Sequence, residues 1–275
     1  MEDNISIVEL LRKEKPMFHL ESATQDMANV EEFLFKKGKT DTSRFARTSY
    51  PIDDDVLNYM SSIVNSHHVT LETGGGYSTI VFAAKSKKHI CVNPDVTSNK
   101  LIKNWLQNKG YSIDKLCFIE DSSDKGLARL EFTDQVDVAL IDGNHSFPFP
   151  MIDWHFIDGY LAIGSKLLLD DTQILSVRIV KEFLLSEPSY KHIDTIGRCT
   201  IFEKVKGTRT MGWLTQERIV GWRTQEMKKK NVMWFSDQES KDSPNWLRQV
   251  LINALKKTLP ASVYQSVRRY HRRNK

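Results

Sequence analysis

The sequence predicts an α/β protein built on a doubly wound, mostly parallel, seven-stranded sheet, with helical N- and C-terminal extensions. Three observations predict it. Short runs of β-branched and apolar residues alternate with amphipathic stretches through the middle of the chain. Each of the first five runs ends in Gly, Asn, Asp, Glu or Ser, as expected where ligands bind outside the carboxyl ends of parallel strands. The last two runs lie close enough together for a terminal antiparallel pair. A chain of 275 residues, 40% of them apolar, is long enough for one large domain with appendages.

Residues 1–55 read as a charged, helical segment containing Phe33, Phe35 and Phe45, placed to form a lid over a substrate. The core is expected over residues 56–206. Its first run, His68 to Glu72, closes on Gly74-Gly75-Gly76, and its second, Ile90 to Val92, ends at Asn93-Pro94-Asp95. The third, Leu116 to Ile119, ends at Glu120-Asp121-Ser122. The fourth, Val136 to Ile141, runs into Asp142-Gly143-Asn144-His145, and the fifth, Lys166 to Leu169, into Asp170-Asp171-Thr172. Runs around Tyr190 to Ile196 and Cys199 to Val205 supply the antiparallel pair. In residues 207–275, Ser243-Pro244 starts a helix with a side-chain cap and a first-turn proline. Leu247, Val250, Leu251, Ala254 and Leu255 share one face of it, and Pro260 ends it. Trp213, Trp222, Trp234 and Trp246 belong to this last segment, enough aromatic surface to pack it onto the core or onto a second copy of the chain, or to line an acceptor pocket.

Composition excludes several classes. No apolar run approaches the roughly 18–20 residues that span a bilayer. The chain opens Met-Glu-Asp-Asn, with acids where a secretory leader carries lysines, so a cytoplasmic protein is expected. Cys91, Cys117 and Cys199 are scattered through strand-like runs, which suits reduced thiols better than a disulfide framework or zinc. The net charge of +4 is uneven: residues 245–275 hold eight Lys or Arg and no acid, leaving the rest mildly acidic. Such a tail can be a solvated face or can meet phosphate, nucleic acid or an anionic membrane.

The chemistry sits at the strand ends. Glu72-Thr73-Gly74-Gly75-Gly76-Tyr77-Ser78 sets an acid before small residues, so the backbone can turn tightly and approach a ligand closely. A dinucleotide fingerprint would need a third glycine where Thr79 stands. The stretch instead resembles the first motif of class I S-adenosylmethionine-dependent methyltransferases, matched by Glu72, Gly74, Gly76 and Ser78, and the resemblance extends over residues 56–206. It implies a Rossmann-like methyltransferase fold with S-adenosylmethionine as cofactor. The Gly74–Gly76 turn, with Thr73 and Gly75, would lie against its methionine part, and Glu72 beneath that turn would organise it. Asn93 stands where the family carries a ribose-binding acid, a departure that Asp95 could make good, while Asp121 and Ser122 match the adenine-contacting pair.

Asp142 and His145 are separated by a glycine turn, and Asp170-Asp171 places two more carboxylates at the next strand end. Three hard oxygen ligands at one sheet edge suit Mg²⁺. This constellation is similar to metal-dependent O-methyltransferases of the catechol type and, more closely, of the macrocin type, which methylate sugar hydroxyls. That likeness implies Asp142, Asp170 and Asp171 as metal ligands, with His145 as the general base. An alcohol is a poor nucleophile at neutral pH, so a metal and a base titrating near 6.5 supply what attack on a sulfonium methyl requires. The expected acceptor is a small molecule, a sugar or a glycan, with Arg44, Arg47 and Tyr50 as candidate contacts. The basic tail could dock the enzyme to an anionic membrane or carrier. A nucleic-acid methyltransferase is the rival within the fold, supported by that tail alone, and a catalytically silent module that binds the cofactor or a partner is the rival outside it. His67, His68 and His155 read as structural.

Overall fold

The computed structural model describes residues 5–18, 52–131 and 134–207. The expectations for Phe33, Phe35, Phe45, Arg44, Arg47 and Tyr50, for the four C-terminal tryptophans, for the helix from Ser243 and for the basic tail all fall outside these residues.

A helix, α1 (Ile7–Glu14), opens with a capping box in which Ser6 and Glu9 satisfy each other's backbone amides, and it buries Ile7, Val8 and Leu11. The second helix, α2 (Asp54–Ile63), buries Val56, Leu57 and Met60 at one-face spacing. Strand and helix then alternate: β1 (Val69–Thr73), α3 (Tyr77–Lys85), β2 (Lys88–Val92), α4 (Val96–Asn108), β3 (Leu116–Ile119), the short α5 (Ser123–Gly126) with a 3₁₀ turn behind it, and β4 (Val136–Ile141). They are followed by α6 (Phe149–Asp158), β5 (Leu161–Leu169), α7 (Leu175–Leu184), β6 (Tyr190–Ile196) and β7 (Cys199–Lys204).

The seven strands form one sheet in the order β3-β2-β1-β4-β5-β7-β6. All pairs from β3 to β5 are parallel, and β7 runs antiparallel to both β5 and β6. The sheet is thus the mixed, mostly parallel one expected. Period-two alternation divides the core: Val138 and Leu140 of β4 join the cluster under α1 to α4, whereas Ala139 and Ile141 join the cluster under α6 and α7. Because β1 is covered on both faces, all five of its residues are buried, including the polar Thr70, Glu72 and Thr73. No helix among the described residues is long and apolar enough to cross a membrane.

The winding reverses between β1 and β4: the chain leaves β1 towards β2 and β3, and returns to build β4 and β5 on the other side. This switch point opens a crevice at the carboxyl ends of the two strands.

Candidate active site

A cavity of about 770 Å³ fills that crevice. Its floor is the turn after β1, where Gly74 has φ +80° and a Cβ would stand 2.2 Å from the carbonyl oxygen of Asp142. Only glycine fits there. At Gly75 a Cβ would come 2.8 Å from Asn93 Nδ2, so the turns after β1 and β2 touch. Gly74, Gly75, Gly76 and Ser78 all line the cavity. Glu72 and Thr73 do not line it; they are buried beneath, and the Glu72 carboxylate accepts hydrogen bonds from Thr79 Oγ1 and, at 3.1 Å, from His89 Nε2.

The turn after β2 brings Asn93 and Asp95 to the wall. Asn93 is 5% exposed and bonds largely within the protein: its Nδ2 donates to Asn99 Oδ1 at 2.8 Å, and its Oδ1 receives the Asp95 amide at 3.4 Å. Asp95 caps α4, accepting from the Ser98 amide at 2.9 Å, while its Oδ2 is buried with no hydrogen-bond partner among the described residues. At the end of β3, Ser122 and Ser123 line the cavity and Asp121 does not. The Asp121 carboxylate is drawn to the Ser122 amide, at 2.8 Å, and to the Arg129 guanidinium, which together hold it below the usual carboxylate range.

The other wall collects Asp142, His145, Asp170 and Asp171. His145 lies between two carboxylates, its Nε2 3.6 Å from Asp142 Oδ1 and its Nδ1 3.5 Å from Asp171 Oδ2. Its carbonyl oxygen accepts from Ser176 Oγ at the start of α7, which fixes the backbone of the loop. Nε2 itself is buried with no hydrogen-bond partner among the described residues. Burial lowers the imidazole below its usual range, opposed by Asp171 and reinforced by Arg198. Burial, then the neighbouring acids, push Asp142 well up and Asp170 up to about 6.

Arg198, which the sequence reading missed, enters this cluster from the β6–β7 turn. Its guanidinium donates to Asp171 Oδ1 at 2.7 Å and lies 3.5 Å from Asp53 Oδ1. The antiparallel return of β7 beside β5 carries it there: Thr200 pairs with Leu169, so the residues before β7 meet the residues after β5. The signal available in sequence was a Gly-Arg turn between two strand-like runs. Asp171 has φ +51°, unusual for a non-glycine residue, and its Oδ1 also accepts from Gln173 Nε2 at 2.7 Å.

The hard-oxygen donor set fits a divalent cation chemically, since burial first, and then the neighbouring acids, make charge on Asp142 and Asp170 costly. Their geometry is looser than a formed ligand shell. Among the described residues, the group whose ligand atoms all lie within 4.8 Å of one another is Glu72, His89 and Cys91, and these are engaged in hydrogen bonds under the glycine turn.

Asp153, on α6 and fully buried beside the cavity floor, is a second acid under pressure. Burial pushes its carboxyl up to about 6, partly offset by the hydroxyls of Ser123 and Thr73. A folded-state pKa above the unfolded value favours folding below the unfolded pKa of 3.8, and that contribution is lost as pH rises through about 6. Asp153→Asn should therefore raise stability by about 1–3 kcal/mol at pH 8 and by little near pH 4, read by urea unfolding at the two pH values. An equal gain at both would dissociate the effect from the carboxyl's titration.

Residues 71–172 match the family model described as a methyltransferase domain. No curated protein matches the chain in sequence. Among solved structures, a candidate O-methyltransferase from Klebsiella pneumoniae superposes with a TM-score of 0.51 at 17% identity, over 72% of this chain and 94% of that one. A candidate caffeoyl-CoA O-methyltransferase from Staphylococcus aureus gives 0.50 at 14% identity, over 73% and 97%. A Corynebacterium glutamicum protein gives 0.50 at 14%, over 75% and 100%. At such identities these likenesses speak for the fold, and they agree with the domain match across the strand-end turns that build the cavity. The chain carries a methyltransferase domain over residues 71–172, set in the seven-stranded fold it shares with these solved structures.

Proposed function

We propose that the protein transfers the methyl group of S-adenosylmethionine to a hydroxyl of a small molecule or sugar, with His145 as general base and Mg²⁺ assisting. The observation that carries this reading is the placement of His145. His145 lines the same cavity as the glycine turn, its Nε2 has no hydrogen-bond partner among the described residues, and the ring is bracketed by Asp142 and Asp171 at 3.6 and 3.5 Å. A ring so bracketed is held close to the reacting groups, and a small turn that opens Nε2 to the cavity lets it take a proton from an acceptor hydroxyl. Methyl transfer is an in-line displacement, so the remaining demand on the protein is to hold two reactants end to end.

In this reading Gly74, Gly75, Gly76 and Ser78 receive the methionine part of the cofactor. Asn93 or Asp95 meets the ribose, and Ser122 the adenine, with Asp121 steadying that turn through the Ser122 amide. Asp142, Asp170 and Asp171 would hold Mg²⁺, which when bound supplies Lewis acidity towards the acceptor hydroxyl. Arg198 keeps one oxygen of Asp171 engaged, limiting the negative charge presented to the acceptor.

Calorimetric titration of S-adenosylhomocysteine, with Mg²⁺ and then with EDTA, tests the cofactor assignment. Micromolar binding is expected, and no binding in either buffer would favour a catalytically silent module that binds a partner instead. The metal is tested separately by thermal unfolding. Mg²⁺ at about a hundred times its Kd should stabilise by about 2.7 kcal/mol, a rise of several degrees, and Asp170→Asn should cancel that rise. A melting temperature indifferent to Mg²⁺, with and without S-adenosylhomocysteine, would remove the metal and leave His145 as the base.

A further inference from the structure

Beneath the glycine turn lies a polar chain that the methyl transfer does not itself use. Thr70 and Glu72 on β1, His89 on β2 and Thr79 on α3 are all 0% exposed. Their surroundings are apolar: the His89 ring lies 5.0 Å from the ring of Phe82, and Leu71 and Ile90 are buried on the same strands. Polar groups so placed persist only when hydrogen-bonded.

Their bonds form a continuous path. Thr70 Oγ1 lies 2.9 Å from His89 Nδ1, and His89 Nε2 lies 3.1 Å from Glu72 Oε1. Thr79 Oγ1 donates to the same carboxylate oxygen and accepts from the amide of Gly76 at 2.9 Å. The path thus ends on the backbone of the turn. Among the described residues Glu72 Oε2 is buried with no hydrogen-bond partner, so the bonds at Oε1 are what hold the carboxylate. Cys91 acts in parallel, its thiol donating to Gly74 O at 3.1 Å; burial and Glu72 push that thiol well up, which keeps its proton in place for the bond.

We propose that His89 is a positioning residue for cofactor binding: by holding Glu72 Oε1 it fixes Thr79, and through Thr79 the amide of Gly76, in the turn that receives S-adenosylmethionine. This rests on the reading of Gly74–Gly76 as the cofactor turn. The direction of action is set by the charge. A buried carboxylate that loses one of two donors on a single oxygen is left under-bonded and shifts towards its remaining donor or recruits water, and either change moves the Thr79 hydroxyl from its present orientation.

The test is calorimetric titration of S-adenosylhomocysteine into the full chain and its variants. Thr79→Val, which keeps the volume but not the hydroxyl, and His89→Leu should each weaken binding by about tenfold or more, whereas Thr79→Ser should stay within about threefold. Because both losses cut one path, the double variant should be little weaker than either single one. In ¹⁵N spectra of the imidazole side chains, Thr79→Val should also shift the His89 Nε2–H resonance, a reading that does not depend on His89→Leu folding. Variants that bind like the wild type, losses that simply multiply, or an unmoved His89 resonance would each overturn the role of His89. A wild-type chain that binds no S-adenosylhomocysteine would instead bring down the cofactor-turn reading, and this inference with it.

Discussion

His145→Ala is expected to lower turnover by about 10²- to 10⁴-fold while leaving the affinity for S-adenosylhomocysteine within about twofold. The asymmetry follows from where the side chain sits. His145 belongs to the loop after β4, bracketed by Asp142 and Asp171, and makes none of the bonds that hold the Gly74–Gly76 turn. The sign of the pH dependence follows from its burial. A general base works unprotonated, and burial lowers this imidazole below 6.5, so the acid limb of the turnover profile should lie below that value and turnover should be flat above it. Steady-state rates with a hydroxyl acceptor between pH 5 and 9 check both points. Full activity of the variant near pH 7, or an acid limb that survives the substitution unchanged, would take His145 out of the mechanism.

What the sequence made legible depends on whether the signal was apolar. The bounds of β3, β4 and β6 are the predicted ones: β3 and β4 are mainly apolar runs closed by turn residues, and β6, though exposed and partly charged, is bounded by Tyr190 and by Ile196 before the Gly197 turn. Strand β5 begins at Leu161 rather than Lys166, since Gly164, with φ +95°, and Ser165 interrupt the run while the backbone stays extended around them. Strand β2 begins at Lys88 rather than Ile90, because His89 counts as polar in any hydropathy pattern yet is completely buried through Thr70 and Glu72. The site divides in the same way. Residues placed by a local turn, such as Gly74, Asp142 and His145, were visible from their motifs and line one cavity. Arg198 was not, because only the pairing of β7 with β5 brings it to Asp171. Asp121 shows the converse: its place in a motif was legible, but the Arg129 that draws its carboxylate aside lies eight residues on and belongs to no motif.

Gly74→Ala should cost about 2–4 kcal/mol of stability and weaken S-adenosylhomocysteine binding by at least about a hundredfold. Two effects act at once. The residue has φ +80°, where an L side chain pays a conformational penalty, and its Cβ would sit 2.2 Å from Asp142 O and 2.8 Å from Asp142 C. Those obstacles are backbone, not the end of a flexible side chain. Relief requires the ends of β1 and β4 to part, against the bond from the Asp142 amide to Thr73 O at 3.2 Å and the pairing of Thr73 with Ile141. Parting them displaces the glycine turn and the loop carrying Asp142 and His145 together, which is why cofactor binding should fall with stability. Gly110 separates the two effects. It has φ +77° but nothing within 4 Å of its Cβ position, so Gly110→Ala carries the conformational penalty alone, about 1 kcal/mol, and should bind S-adenosylhomocysteine as the wild type does. Urea unfolding and calorimetry on the two variants supply the comparison. Equal stability losses, with binding intact in both, would mean that the close approach of β1 and β4 at Gly74 does not build the cofactor site.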